Sequence, residues 1–340
     1  MEIQTQLPIE PKYGQKWHLY NLAKTQEKRL FYSLLHELCQ TIPEPVYKFG
    51  RPSIPIRDLV FSLGLKLYSN YSGRKVISDL HHAQGAGYIS KTVHYNTLTK
   101  FLNAEGTYEL LQMLLTLSAM PLKQLEDGFS LDSSGFGSYQ YERWQRVRFS
   151  PRFHKGSRNY VKGHICIGTR TNCICSCEVT YGNFSDVNQA PKLLEQINGK
   201  FNVKEVSADK AYNAYRIFQI IEEMKAIPYI PFLSSRNPKK ETSPKIWYDM
   251  YQHFQNHRED FMKHYHRRSN VETVFSMVKI RLGEFLKCKK YESQRCELLM
   301  KFIVHNITVL IQEIFESDLD VEFRDHLKAF LNSKGTLCST

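Results

Sequence analysis

The most specific spacing in this sequence belongs to Tyr265, Arg268, Glu272 and Lys279, which fit Y-x2-R-x3-E-x6-K within YHRRSNVETVFSMVK. Steps of three, four and seven put these four residues on one face of a helix. Val271, Val274, Phe275 and Val278 lie between them, so the same helix also packs on a core. Arginine and lysine beside a carboxylate suit a place where phosphates dock and a hard cation is held. Two further carboxylates, Asp132 in LDSSGF and Asp209 in SADKAY, stand at the middle or end of strand-like segments. Each of these alone fits a strand-end cap or turn. Three converging carboxylates, however, can hold two magnesium ions ~3.5–4 Å apart, one activating an attacking hydroxyl and the other steadying a leaving 3′-oxygen.

The elements that must position these groups begin at Gly128. GFSLDSSGF predicts a strand, and KGHICIGTR (162–170) with CICSCEVTYG (173–182) predicts a hairpin closed by a Thr-Asn turn. NQAPKLLEQI (188–197) predicts a helix capped by Ser185 or Asp186. VKEVSADKAY (203–212) predicts a strand entering a helix through Ile221, and IPYIPF (227–232) a short fifth strand. Helices are expected over Trp247–Arg258, Glu259–Leu286 and Glu292–Ile314, followed by an acidic tail. Strand, hairpin, helix, strand, helix, strand, helix is the order of an α/β fold with mixed pairing.

Ahead of this lies a helical region. Residues 26–41 and Ile56–Tyr71 predict two helices separated by a Pro-rich connection, Ile42–Pro55. RKVISDLHHAQ, the turn GAG and the Ser-capped SKTVHYNTLTKFLN follow, over about 74–103. That order fits a helix-turn-helix as well as an ordinary helical hairpin. In the first case Lys91 and Asn96 are candidates to meet DNA, together with Thr92, His94, Tyr95 and Lys100.

The charge distribution favours a polyanionic partner. Net charge is +12 and the pI about 9.2. Eight basic residues (Arg143, Arg146, Arg148, Arg152, Lys155, Arg158, Lys162 and Arg170) stand against the single acid Glu142 between 141 and 170. Aromatic residues interleave with them, which suits gripping backbone and stacking on bases, although a solvated basic loop fits too. No run approaches the ~20 consecutive apolar residues of a membrane span, and the N-terminus has no signal-peptide pattern. A cytoplasmic, nucleoid-associated protein is expected. Cys173, Cys175 and Cys177 alternate near Cys166 without paired zinc-site spacing, and are expected to be buried thiols.

LDSSGF, SADKAY and YHRRSNVETVFSMVK together, in this order, resemble the motifs of DDE transposases from bacterial and archaeal insertion sequences. The nearest group is the YREK-signature superfamily that contains insertion-sequence families four and five. The resemblance spans roughly residues 50–312. It implies a ribonuclease-H-like, mixed five-stranded sheet flanked by helices, with an all-helical N-terminal DNA-binding region. The domains expected are 1–125 for that region, 126–290 for catalysis, and 291–340 for a C-terminal helix and tail packed on the catalytic domain. It further implies that Asp132, Asp209 and Glu272 are catalytic ligands of two Mg²⁺ ions (or Mn²⁺), and that Tyr265, Arg268 and Lys279 contact phosphates of the transposon end. The reaction implied is cleavage at terminal inverted repeats and strand transfer of the 3′-hydroxyl into target double-stranded DNA, by a homodimer in the synaptic complex. Some relatives place a long β-rich insertion between the second Asp and the Glu; the interval here is too short for one. Trp247 falls in it, as a packing residue in preference to a holder of a flipped base. A catalytically silent DNA-binding regulator and a ribonuclease-H-like nuclease are the alternative functions, but all three carboxylates and all four signature positions are present.

Overall fold

The computed structural model of the chain describes residues 16–45, 49–50, 53–138, 160–233 and 243–327. A five-stranded mixed sheet forms the centre, in the order β3-β2-β1-β4-β5. β1 (Gly128–Gly137), β2 (Tyr160–Gly168) and β3 (Ile174–Tyr181) are rich in β-branched, aromatic and small residues and pair antiparallel. Asn172, at φ 64°, makes the left-handed step that closes the β2–β3 hairpin. β4 (Glu205–Ala208) and β5 (Ile227–Tyr229) then run parallel to β1. An antiparallel meander followed by two parallel strands across the first is the ribonuclease-H-like arrangement expected, here with both crossovers helical.

Helices cover both faces of the sheet. α6 (Ala190–Ile197) packs on β2 and β3, and α7 (Tyr215–Glu223) on β5. α8 (Lys245–Asn256) and α9 (Arg258–Tyr265) follow, and then α10 (Ser269–Leu282), which lies against β1. α11 (Tyr291–Glu316) covers β2 and β3 with residues such as Leu298 and Phe302, to which Gly163 of β2 gives room.

α11 also enters the N-terminal helical region. α1 (Trp17–Gln40), α2 (Ile56–Tyr68) and α5 (Thr107–Ala119) all pack on it. Gly64 of α2 sits where a Cβ would come within 2.8 Å of Leu35 and Met300, so the close approach of α1, α2 and α11 requires glycine there. By length and composition α11 could pass for a membrane span, which the sequence reading did not foresee. Every residue from Ser293 to Ile311 except Arg295 is buried inside the protein, so it is the core helix of the fold.

Four local expectations need correction. α5 lies in a segment to which no element was assigned, although TYELLQMLLTLSA has apolar residues at helical spacing. After α3 (Ile77–Gly85), α4 begins at Tyr95, capped by the His94 ring accepting from the Asn96 amide at 3.2 Å; Ser90 is not the cap. Ser90 instead donates to the buried Asp58, so Lys91 and Thr92 lie in the connection and not on the helix. The stretch between α3 and α4, 86–94, exceeds the ~3–4-residue turn of a helix-turn-helix. α6 has no side-chain cap, because Asp186 spends its carboxylate on the sheet. Finally, Glu259–Leu286 is not one helix. A 3-10 turn, His266–Arg268, separates α9 from α10, so Tyr265, Arg268, Glu272 and Lys279 occupy three consecutive elements.

Candidate active site

Asp132 sits on β1, one step past the last registered pair with β4, Leu131 opposite Ala208. Asp209 directly follows Ala208, the last residue of β4, so Asp132 and Asp209 each come one residue after a paired residue of two adjacent parallel strands. Asp209 caps a 3-10 turn (Lys210–Tyr212), its Oδ1 accepting from the Lys210 amide at 2.6 Å. Glu272 lies in the first turn of α10, where a negative charge is favourable, with its side chain 61% exposed.

Arg268 joins two of these acids. Its Nη2 donates to Asp132 Oδ2 at 2.8 Å and its Nη1 to Glu272 Oε1 at 2.7 Å. The other oxygen of Asp132 accepts from the Ser133 amide at 2.8 Å. Burial pushes the Asp132 carboxyl above the usual aspartate range; the Ser133 amide and Arg268 pull it back, and the like charge of Glu272 works with burial. Burial weakens the charge of Arg268, but Asp132, Tyr265 and Glu272 outweigh that and hold it more firmly than usual. The Tyr265 phenol, at the end of α9, is raised first by burial. Arg268 opposes this, and the charges of Asp209, Glu272 and Asp132 add to it, so one ring lies in the field of all three carboxylates.

Lys279, two turns along α10, donates to Ser134 Oγ at 2.7 Å and lies 5.1 Å from the centre of the Phe136 ring. Burial lowers its pKa against the pull of Glu284. Lys91 and Asn96 are exposed, on the connection before α4 and on α4 itself, and the structure shows no contact between either and the carboxylates. Arg143, Arg146, Arg148, Arg152, Lys155 and Arg158 lie outside the described residues. Trp247 is 1% exposed and donates from Nε1 to Asn213 Oδ1 at 2.9 Å, which makes it a packing residue. Cys166, Cys173, Cys175 and Cys177 are buried free thiols.

Two acidic side chains outside the signature, Asp186 and Glu205, support the site. On the opposite face of β1, Asp186 accepts from Ser133 Oγ at 2.8 Å, pairs with Lys162 Nζ at 2.6 Å and lies 3.1 Å from His164 Nδ1. Burial drops the His164 pKa to about 4 against the pull of Asp186. These contacts fix the strand around Asp132. Alternation along β1, which turns Ser133 away from Asp132, was the available signal. At the other end of the signature, Glu205 of β4 pairs with His264 at 2.6 Å and with Arg267. That pairing pins the 3-10 turn carrying Arg268 to the sheet.

Hard carboxylate oxygens on two strand ends and a helix are the donor chemistry of magnesium or manganese, and the residue types fit such ions. Among the described residues, however, no three acidic, histidine or cysteine side chains converge closely enough to hold one ion. The Arg268 guanidinium stands between Asp132 and Glu272.

Residues 123–307, just over half of the 340-residue chain, match the family profile of the transposase DDE domain. A cryo-EM structure of a piggyBac transposase synaptic complex with hairpin DNA resembles the chain at a TM-score of 0.42 and 8% identity, covering 94% of this chain and 80% of that one. No curated protein matches the sequence.

Proposed function

The chain belongs to the transposase DDE domain family, and from that premise we propose that it is an insertion-sequence transposase of the YREK-signature superfamily, of bacterial or archaeal type. It cleaves DNA at terminal inverted repeats and transfers the freed 3′-hydroxyl into target DNA. The observation that carries this reading is the meeting of β1, β4 and the start of α10, where Asp132 and Asp209 each directly follow the paired residues Leu131 and Ala208 and Glu272 is tied to Asp132 through Arg268.

Asp132, Asp209 and Glu272 are the ligands of two divalent ions, magnesium by preference. Such ions, once bound, lower the pKa of the attacking hydroxyl and neutralise the leaving oxygen. The chain supplies the rest by position. β1 carries Asp132 and the end of β4 leads directly into Asp209, and the Asp186 network keeps Ser133, and hence the Asp132 backbone, from shifting. Tyr265, Arg268 and Lys279 receive phosphates of the transposon end. Arg143, Arg146, Arg148, Arg152, Lys155 and Arg158 extend that contact along the strand. Lys91 and Asn96 belong to the DNA-binding region within 1–125, ahead of the catalytic domain, 126–290, and the C-terminal segment, 291–340. Two copies act together, because two ends must be paired.

The test is incubation of the purified protein with Mg²⁺ and a duplex carrying the DNA that flanks its gene, scoring new 3′-hydroxyl ends. Asp132→Asn, Asp209→Asn and Glu272→Gln should each abolish cleavage and leave duplex binding in place. Cleavage that survives in these variants would falsify the assignment. Binding without cleavage by the unaltered protein would favour the regulator.

A further inference from the structure

Both oxygens of Asp132 are engaged, Oδ1 by the Ser133 amide and Oδ2 by Arg268. A divalent ion bridging Asp132 towards Glu272 needs the lone pairs that Arg268 holds, at about 2.0–2.1 Å for magnesium. Guanidinium and ion carry the same sign of charge, so the two cannot share that span. Arg268 is not locked in place, however. Its partner Glu272 is 61% exposed, and its own Nε is buried with no hydrogen-bond partner among the described residues. The planar fork that binds two carboxylates is equally suited to a phosphate.

We infer that Arg268 is an exchangeable counter-ion: in the DNA-free protein it bridges Asp132 and Glu272 and opposes the divalent ion, and a docking DNA phosphate draws its guanidinium away and opens the acids. This rests on the proposed roles of Asp132 and Glu272 as ligands. Metal and DNA then bind with positive coupling, and linkage requires each to raise the other's affinity by the same factor. The site assembles its ions only once a strand is in position to be cut.

The test needs no turnover. Free Mn²⁺ is followed by electron paramagnetic resonance while the full chain is titrated, with and without a duplex made from the DNA flanking the gene, after subtracting Mn²⁺ bound by the duplex alone. In the unaltered protein the duplex should tighten Mn²⁺ binding by about 5–150-fold, the usual range of such coupling. Arg268→Gln should tighten Mn²⁺ binding by a similar factor without DNA and remove the response to the duplex. Equal affinity of the unaltered protein with and without duplex overturns the exchange, and so does an Arg268→Gln protein that binds Mn²⁺ no better. The first comparison needs no variant, so misfolding of Arg268→Gln does not rescue the idea. Asp132→Asn separates the two layers. Unchanged Mn²⁺ binding there overturns the ligand assignment itself, whereas lost binding there beside an Arg268→Gln protein that binds Mn²⁺ no better than the unaltered one overturns only the exchange.

Discussion

The two ends of α10 hold charge in opposite ways. At its start, Arg268 is bonded to side-chain carboxylates, one of them mostly exposed. Beyond its end, α11 sends two fully buried charges to the loop that links the helices. Glu297 accepts from the Lys287 and Cys288 amides at 2.9 and 2.8 Å, and Lys301 donates to the Gly283 and Phe285 carbonyls at 2.7 and 3.0 Å. Burial brings Lys301 down to about 8. A charge bonded to backbone leaves its partners only when the chain unfolds there; a charge bonded to side chains, one of them mostly exposed, can be traded for another ligand. The first kind is a fixture of the fold, and the second is available for chemistry.

Substitutions at the two ends should therefore separate activity from stability. Glu272→Gln is expected to slow cleavage by at least about 10²–10³-fold, as loss of one electrostatic partner of a transition state does. Its unfolding free energy from urea titration should barely move, by less than about 0.5 kcal/mol, since the side chain is exposed. Glu297→Ala should do the reverse to stability, costing about 1–3 kcal/mol because two part-buried amides lose a fully buried acceptor. Equal destabilisation by the two changes would erase the distinction.

His305 sharpens it with pH. Its Nε2 lies 3.0 Å from the Asn172 carbonyl oxygen, and burial lowers its pKa to about 4, against that bond and together with the charge of Arg281. Between pH 6.5 and 4 the unfolded chain therefore binds a proton that the folded one refuses, and stability falls as the pH falls. The loss reaches about 3 kcal/mol near pH 4. Urea titrations at pH 7 and pH 4.5 should show a smaller drop for His305→Gln. A smaller effect still is expected at Trp247→Phe, about 1 kcal/mol for the lost bond to Asn213. Stripping metal with a chelator should leave the melting temperature of the DNA-free protein where it was, because the described buried cysteines are free thiols and Arg268 already offsets part of the charge of two of the acids.

What could be read from sequence was what neighbouring residues encode. The hairpin, the strand around Asp132 and the strand leading to Asp209 declare themselves by composition and turn residues; mixed pairing followed from their sequence of types, and the ribonuclease-H-like sheet from the family resemblance. Glu272 and Arg268 were legible as a pair because four residues apart is one helical turn. The reach of Arg268 to Asp132, 136 positions away, has no local signature. Nor does the 3-10 turn at His266–Arg268, which contains neither glycine nor proline. Asp186 was expected as a cap because aspartate before a helix usually is one. It faces Lys162 and His164 instead, since a buried imidazole and an ammonium of another strand offer more than one amide does. α5 went unassigned for want of a cap or periodic break that stood out from its surroundings.

The packing of α11 between the sheet and the first two helices sets a schedule for the newborn chain. α1 and α2 are made well before Tyr291–Glu316, part of the surface against which they settle. Until that helix is synthesised, Leu35, Leu63 and their neighbours lack one side of their packing and are exposed to chaperones and to aggregation. A polypeptide that stops short of it leaves α1, α2 and the adjoining face of β2 and β3 uncovered together.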